Sequence, residues 1–290
     1  MKINVIGAGS MGVVLSYFLR KKNNVSLVVR KGERSLYSNG LKLKLDGKEE
    51  MFSVDVKEDI GESDVTIVAV KSYDLESVFR DRELNGRVIL IQNGLAHLGM
   101  EKEGVEKFYA VTTWGARKTG RGVAELTGRG YFRVGSDSGR MDISFLNDSG
   151  INAVWSDNIR EELYRKAAIN AVINPITALF GVKNGEVIKS RELWEIASAA
   201  IDELERLFSA MGYNLEVEKN VRETCSVTSE NISSMLQDIQ QGRMTEIDSI
   251  TGEIIALGKK KGMEMKVNSF LYESVKFLQK HRGKPFKNPF

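Results

Sequence analysis

The chain has 290 residues, with 42 Lys and Arg against 39 Asp and Glu and a formal charge of +3. A hydrophobic share of 42% beside 28% charged residues excludes disordered, collagen-like and mucin-like classes, and so small and dispersed a net charge gives no footing for a nucleic-acid partner. One cysteine, Cys225, and two distant histidines, His97 and His281, leave no disulfide framework, no cysteine zinc site and no histidine metal pair, so no metal is expected. A chain this long makes one or two domains and buries on the order of three quarters of its unfolded surface. No apolar run reaches the roughly 18 residues that span a bilayer. Met1 leads directly into a strand-like segment and not into a leader. These features predict a cytoplasmic protein with no membrane partner.

The first half alternates β-like runs with helical stretches. Lys2 to Ile6 is apolar and β-branched, Ser10 to Lys21 has helical spacing, and Val25 to Val29 reads as a second strand. Leu41 to Leu45 and Met51 to Val56 flank Asp46-Gly47, a strong hairpin signal. Val65 to Val70 and Val88 to Ile91 are near-continuous apolar runs, as expected of parallel strands buried on both faces. Phe108 to Thr113, Gly122 to Leu126 and Tyr131 to Val134 add further β-like stretches. Beyond about residue 160 the β signals nearly vanish. Leu163 to Leu179, Glu192 to Met211, Leu215 to Ile239, Glu246 to Lys261 and Asn268 to His281 have helical spacing. The pattern predicts an α/β domain over 1–160 followed by an all-helical domain over 161–290, with a frayed tail from Gly283 to Phe290.

Gly7-Ala8-Gly9-Ser10-Met11-Gly12 follows the first strand and opens a helix, the context in which GxGxxG marks a Rossmann-like dinucleotide-binding turn. In that role Gly7 makes the turn, Gly9 admits a pyrophosphate, Gly12 lets helix and strand approach, and free N–H groups at the helix start face the phosphate charge. The second strand ends in Val28-Val29-Arg30-Lys31, two cations where NAD-binding proteins carry a carboxylate. Such cations suit a ribose 2′-phosphate, which predicts NADPH over NADH. A solvated basic loop is the alternative, and Glu33 nearby could still reach a ribose and soften the selectivity.

In the second half, Lys166, Asn170 and Asn174 recur every four residues, so on a helix they share one face and drift by about 40° per step. A cation and two amides among small apolar residues are costly unless they meet polar partners. Two readings stand side by side, a ligand-binding face and a polar helix face satisfied by backbone. Pro175 is expected to kink or break this helix. Ser234 and Asp238 share a face of a later helix, and Thr245 is placed to cap the next one, with Glu246 in its first turn. His97 reads as an ordinary loop residue, Trp114 as a core or cleft aromatic, and Lys259-Lys260-Lys261 as a solvated helix end.

Taken in order, Gly7 to Gly12, Val70-Lys71-Ser72-Tyr73, Gln92-Asn93-Gly94, Tyr164-Arg165-Lys166 with Asn170-Ala171-Val172-Ile173-Asn174-Pro175, and Ser234-Met235-Leu236-Gln237-Asp238 with Thr245-Glu246-Ile247-Asp248 resemble the ketopantoate reductase (2-dehydropantoate 2-reductase) family over nearly the whole chain. The first anchor is generic; the last two, in this order, are specific. The resemblance implies NADPH-dependent reduction of the small molecule 2-dehydropantoate to (R)-pantoate, on the way to pantothenate and coenzyme A, by a homodimer. Through it, Lys166 matches the general acid, and Asn170, Asn174, Asn184 and Ser234 match substrate contacts. Asn93 matches a residue reached by both ligands, Lys71 a cofactor contact, and Ala116 a cofactor contact in the loop after Thr113. Glu246 matches a carboxylate that contacts cofactor or substrate, and the basic residue after the second strand is also family-like. The cleft between the domains is expected to close on substrate. Two other readings remain: a related reductase of another small keto or β-hydroxy acid, and a non-catalytic NADP(H) sensor.

Overall fold

A computed structural model describes residues 1–281, so the tail from Gly283 to Phe290 lies outside the described residues. The chain divides into two compact units, Met1–Gln92 with His97–Glu162, and Asn93–Ala96 with the chain from Leu163 onward. The short segment Asn93–Ala96 is therefore built into the helical unit, although its neighbours in sequence are not.

Among its described residues the first unit holds twelve strands and three α-helices. In chain order these are β1 (Lys2–Ile6), α1 (Ser10–Leu19), β2 (Asn24–Val28), β3 (Leu41–Leu45), β4 (Lys48–Phe52), β5 (Asp55–Lys57), β6 (Val65–Val68), α2 (Leu75–Asp81), β7 (Gly86–Leu90), β8 (Val105–Thr112), β9 (Gly115–Gly120), β10 (Val123–Gly128), β11 (Phe132–Gly135), α3 (Ser144–Asp148) and β12 (Ala153–Trp155). Eight strands form one sheet in the order β12-β11-β8-β7-β6-β1-β2-β5. It is parallel except where β11 runs against β8. The chain leaves β1 toward β2 on one side and returns to β6 on the other, so the sheet reverses its winding order at β1. Crevices outside the carboxyl ends of strands at such a reversal are where open α/β sheets bind ligands.

A second sheet runs β4-β3-β10-β9. The predicted hairpin is present, Leu45 pairing with Lys48 across Asp46 (φ 50°) and Gly47 (φ 79°), the left-handed pair that a two-residue turn requires. The expected single run from Met51 to Val56 is instead two strands. β4 ends at Phe52, and β5 starts at Asp55 and joins the larger sheet beside β2. Trp114 is a core residue, packed edge-to-face on Phe18 at 5.0 Å and on Phe132 at 5.5 Å between ring centroids. His97 is buried in the same unit against Tyr109.

The second unit is helical: α4 (Ile159–Phe180, its first turn counted with the first unit), α5 (Glu186–Lys189), α6 (Arg191–Ala210), α7 (Val217–Val227), α8 (Ser234–Gln240), a π-helical turn (Asp248–Gly252), α9 (Glu253–Lys260) and α10 (Lys266–Lys280). The Ser190 hydroxyl caps α6 by accepting from the Leu193 N–H, and Leu193, Ala197, Ala200, Ile201, Leu204, Leu207 and Phe208 form its buried stripe. The carboxylate of Glu203 on α6 accepts the Val267 and Asn268 N–H groups, so one helix caps another. The stretch Leu215 to Ile239 is not one helix, as its spacing suggests, but two. α7 stops before Thr228, whose hydroxyl turns back to the Thr224 carbonyl, and the Ser233 side chain restarts the chain as α8 by capping Leu236. Lys259, Lys260 and Lys261 are exposed at the end of α9. Among the described residues no helix is long and apolar enough to cross a membrane, and no group of three or more metal-binding side chains gathers.

Candidate functional site

The glycine turn sits at the carboxyl end of β1. Gly7 has φ +103°, which a side chain rarely adopts, and a Cβ there would lie 2.8 Å from Val70 Cγ1. A Cβ on Gly12 would fall 1.8 Å from the Gly7 carbonyl oxygen, so only glycine lets α1 start this close to the turn. A Cβ on Gly9 would meet nothing nearer than the Ala69 oxygen at 3.8 Å, and Gly9 is the N-cap of α1 with no side-chain cap on the helix N–H groups. Ser10 and Met11 begin the helix and Ala8 packs on the core. A turn that is closed on its strand side, open at Gly9, and edged by uncapped N–H groups fits a dinucleotide pyrophosphate.

The strand ends around this turn are fixed by polar contacts. The Gln92 amide donates to the Val68 and Val70 carbonyls at 2.7 and 3.1 Å. The loop after β2 is pinned by Glu58, whose carboxyl is held below its ordinary range by the N–H groups of Arg34 and Gly32. Arg82 donates to the Glu58 and Val29 carbonyls. Arg30 and Lys31 are exposed on this loop. Lys71 precedes the 3₁₀ turn Ser72–Asp74, which leads into α2. Ala116 is not in a loop, as expected, but in β9 opposite Leu126, because the chain after Trp114 finds a pairing partner in β10.

In the second unit α4 carries the Lys–Asn face. The helix runs through Pro175 without ending there. The ring removes one rung of the ladder, but Ala171, Val172, Ile176 and Ala178 are buried around it and hold the helix in place. Lys166 is half-buried along its length while its ammonium is desolvated. Burial favours the neutral amine and the Glu246 carboxylate opposes it, leaving the pKa lowered from 10.5 to about 8. Asn170 is half-buried and Asn174 is buried one and two turns further along. No hydrogen bond is found for either side-chain amide among the described residues.

Asn93 and Glu246 meet directly, Nδ2 donating to Oε2 at 3.1 Å, with Glu246 buried. The contact is built by the backbone. Leu95 N–H donates to the Ser249 carbonyl at 2.7 Å, and Gly94 (φ +85°) lies so close to the π-helical turn that a Cβ would fall 2.1 Å from the same oxygen. A π turn of this kind is a common device at functional sites. Glu246 is therefore no surface residue of a first helical turn. The Thr245 hydroxyl, expected to cap that helix, accepts the Ile247 N–H at 3.4 Å and also donates to Gln279 on α10.

Asn184 follows α4. Its Nδ2 donates to the Thr228 hydroxyl at 2.9 Å, whereas its buried Oδ1 has no hydrogen-bond partner. An orphaned buried acceptor invites a ligand donor such as a hydroxyl. Ser233 is buried and bonded to Thr177 at 2.7 Å, while Ser234 is exposed at the start of α8. Asp238, one turn further along α8 on the face that Ser234 begins, is buried and bound to Arg243. The residues that the sequence reading passed over are Gly94, as a docking glycine, and Ser249. A glycine beside Asn93 was the available signal, but no pattern announces a backbone acceptor 155 residues away.

The ketopantoate reductase PanE/ApbA family model matches residues 3–139, and its C-terminal counterpart matches 158–279. A 2-dehydropantoate 2-reductase of Archaeoglobus fulgidus is 33% identical over 96% of this chain and 98% of its own. The chain belongs to the ketopantoate reductase family, a family of oxidoreductases. A Bacillus subtilis 2-dehydropantoate 2-reductase is 31% identical over 99% of this chain and 100% of its own. Among solved structures, a probable 2-dehydropantoate 2-reductase from Bacillus subtilis aligns over 96% of this chain and 100% of its own, with TM-score 0.84 and 29% identity. D-mandelate dehydrogenase in ternary complex with NADH and anilino(oxo)acetate aligns over 97% of this chain and 99% of its own, with TM-score 0.89 and 27% identity.

Proposed function

We propose that this chain is an NADPH-dependent 2-dehydropantoate 2-reductase that forms (R)-pantoate, working in the cytoplasm as a homodimer. In this reading residues 1–160 bind the nucleotide and 161–290 supply the acid and the substrate contacts. The observation that carries it is the ammonium of Lys166, with a pKa of about 8, on the same helix face as the amides of Asn170 and Asn174.

Bound at the glycine turn, the reduced nicotinamide supplies the hydride. Gly7, Ala8, Gly9, Ser10, Met11 and Gly12 cradle the pyrophosphate, Arg30 takes the 2′-phosphate, and Lys71, Asn93 and Ala116 line the remainder of the nucleotide. As hydride reaches C2, negative charge grows on the ketone oxygen. Lys166 Nζ stabilises that charge and transfers its proton to the oxygen, completing the alcohol and leaving a neutral amine that solvent reprotonates. A pKa near working pH suits both halves of this cycle. Glu246 keeps the amine from falling further and orients Asn93. Asn170, Asn174, Asn184 and Ser234 bind the carboxylate and hydroxyls of the substrate without adding a competing charge, the orphaned Asn184 oxygen taking a substrate hydroxyl.

The fold similarity to D-mandelate dehydrogenase favours a second reading, reduction of an aryl 2-keto acid. Following NADPH oxidation with 2-dehydropantoate and with 2-oxo-2-phenylacetate separates the two. We expect kcat/KM at least 100-fold higher for 2-dehydropantoate, and a preference for the aryl acid overturns the proposal.

A further inference from the structure

We infer that Asp74 determines cofactor specificity, by holding Arg30 in an ion pair that competes with the ribose 2′-phosphate and limits the preference for NADPH. The inference rests on the reading that the glycine turn binds a nicotinamide dinucleotide.

Arg30 follows β2 and Asp74 closes the 3₁₀ turn after β6. These strands flank β1 on opposite sides, so the pair spans the carboxyl end of β1, where the winding reverses and the glycine turn lies. Arg30 Nη2 donates to both Asp74 oxygens at 3.0 Å. The Arg30 side chain is 70% exposed and that of Asp74 33%. The pair occupies one guanidinium nitrogen and leaves the rest of the fork open to solvent. Asp74 has no capping task to explain it: it sits at the N-cap of α2, yet its side chain makes no cap hydrogen bond.

A 2′-phosphate arriving at the open side of Arg30 meets a cation already half-neutralised, with a carboxylate facing its own charge. A ribose 2′-hydroxyl meets no such opposition, and can donate to the same carboxylate. Arg30 alone therefore favours NADPH, and Asp74 subtracts from that preference. Lys31 and Glu33, on the same loop, carry opposite charges.

The test is fluorescence titration of NADPH and of NADH on the full chain, for wild type, Asp74→Asn, Asp74→Ser, Arg30→Ala and the double variant Arg30→Ala/Asp74→Asn. Asp74→Asn and Asp74→Ser should tighten NADPH about tenfold at low salt while NADH changes less than twofold or weakens. The gain should vanish on the Arg30→Ala background and shrink at 0.5 M salt, roughly as expected for charges screened beyond about 4 Å. An unchanged NADPH Kd, or NADPH and NADH tightening together, overturns the assignment. The titration contains no ketoacid, so an error in the proposed substrate leaves it decisive. Wild type that binds neither nucleotide overturns both this inference and the cofactor reading beneath it.

Discussion

Replacing Lys166 with alanine should lower kcat by about a thousandfold, within the range of roughly 10²–10⁴ for loss of a positioned general acid. The loss should appear in kcat more than in KM, because the ammonium acts on charge that develops only as hydride arrives. The Kd for NADPH should change less than threefold, since the glycine turn and Arg30 belong to the other unit. Stability should change little, because removing the ammonium relieves its cost of burial but leaves the buried Glu246 without that positive charge. A stable, nucleotide-binding but inert variant is the expected result of steady-state kinetics combined with nucleotide titration. Turnover near wild type removes Lys166 from the role of acid.

Gly94→Ala should be nearly as damaging, although the residue bears no side chain. A Cβ at this position meets the Ser249 oxygen at 2.1 Å and the Ile250 nitrogen at 2.9 Å, and the backbone is at φ +85°. Both obstacles are backbone atoms of the π-helical turn, so no side chain can swing away to make room. The Asn93–Ala96 segment must lift by about an ångström, and the Asn93 amide then loses Glu246. A displacement of that size near the reacting atoms costs about 10²-fold in rate, and forcing a left-handed alanine costs about 1–2 kcal/mol in stability. We expect kcat/KM to fall about 100-fold and Tm to drop by several degrees. Ser249→Ala keeps the backbone carbonyl at risk and removes only the hydroxyl that donates to the Asn93 and Glu246 carbonyls at 3.3 and 3.0 Å, so its loss of rate should be smaller than that of Gly94→Ala.

Sequence patterns gave direct access to elements whose residues face a single environment. β1, β6 and β7 each carry a short run of buried apolar side chains, Val5 and Ile6 in β1, Ile67 and Val68 in β6, and Val88, Ile89 and Leu90 in β7, and α6 announces itself by its buried stripe. β9 was illegible for the opposite reason: Arg117, Lys118 and Thr119 are exposed on an edge strand, and nothing in their alternation separates them from a loop. The division of Leu215 to Ile239 was hidden because Thr228 and Ser233 act through local hydrogen bonds that override helical spacing. Lys166, Asn170 and Asn174 could be grouped by their period alone, whereas Glu246 joins them only through the family resemblance and not through its position in the sequence. It reads as a dipole-favouring surface residue, and only the fold brings its carboxylate to Asn93 and its charge to bear on Lys166. Arg30 was visible as a cation after β2, whereas its partner Asp74 lies 44 residues away and is brought near by the order of the strands.

Delivery of the proton by a lysine poised by burial and one carboxylate is tested most directly by the pH dependence of kcat/KM for 2-dehydropantoate, which reports the ionisation of the enzyme before the ketoacid binds. Reduction needs the protonated amine, so kcat/KM should be level below the Lys166 pKa and fall tenfold per unit above it, breaking at about 8. Glu246 raises that pKa, so in Glu246→Gln the break should move to lower pH. A wild-type profile that stays flat from pH 7 to 10, or a break that moves upward when Glu246 is neutralised, would contradict the account.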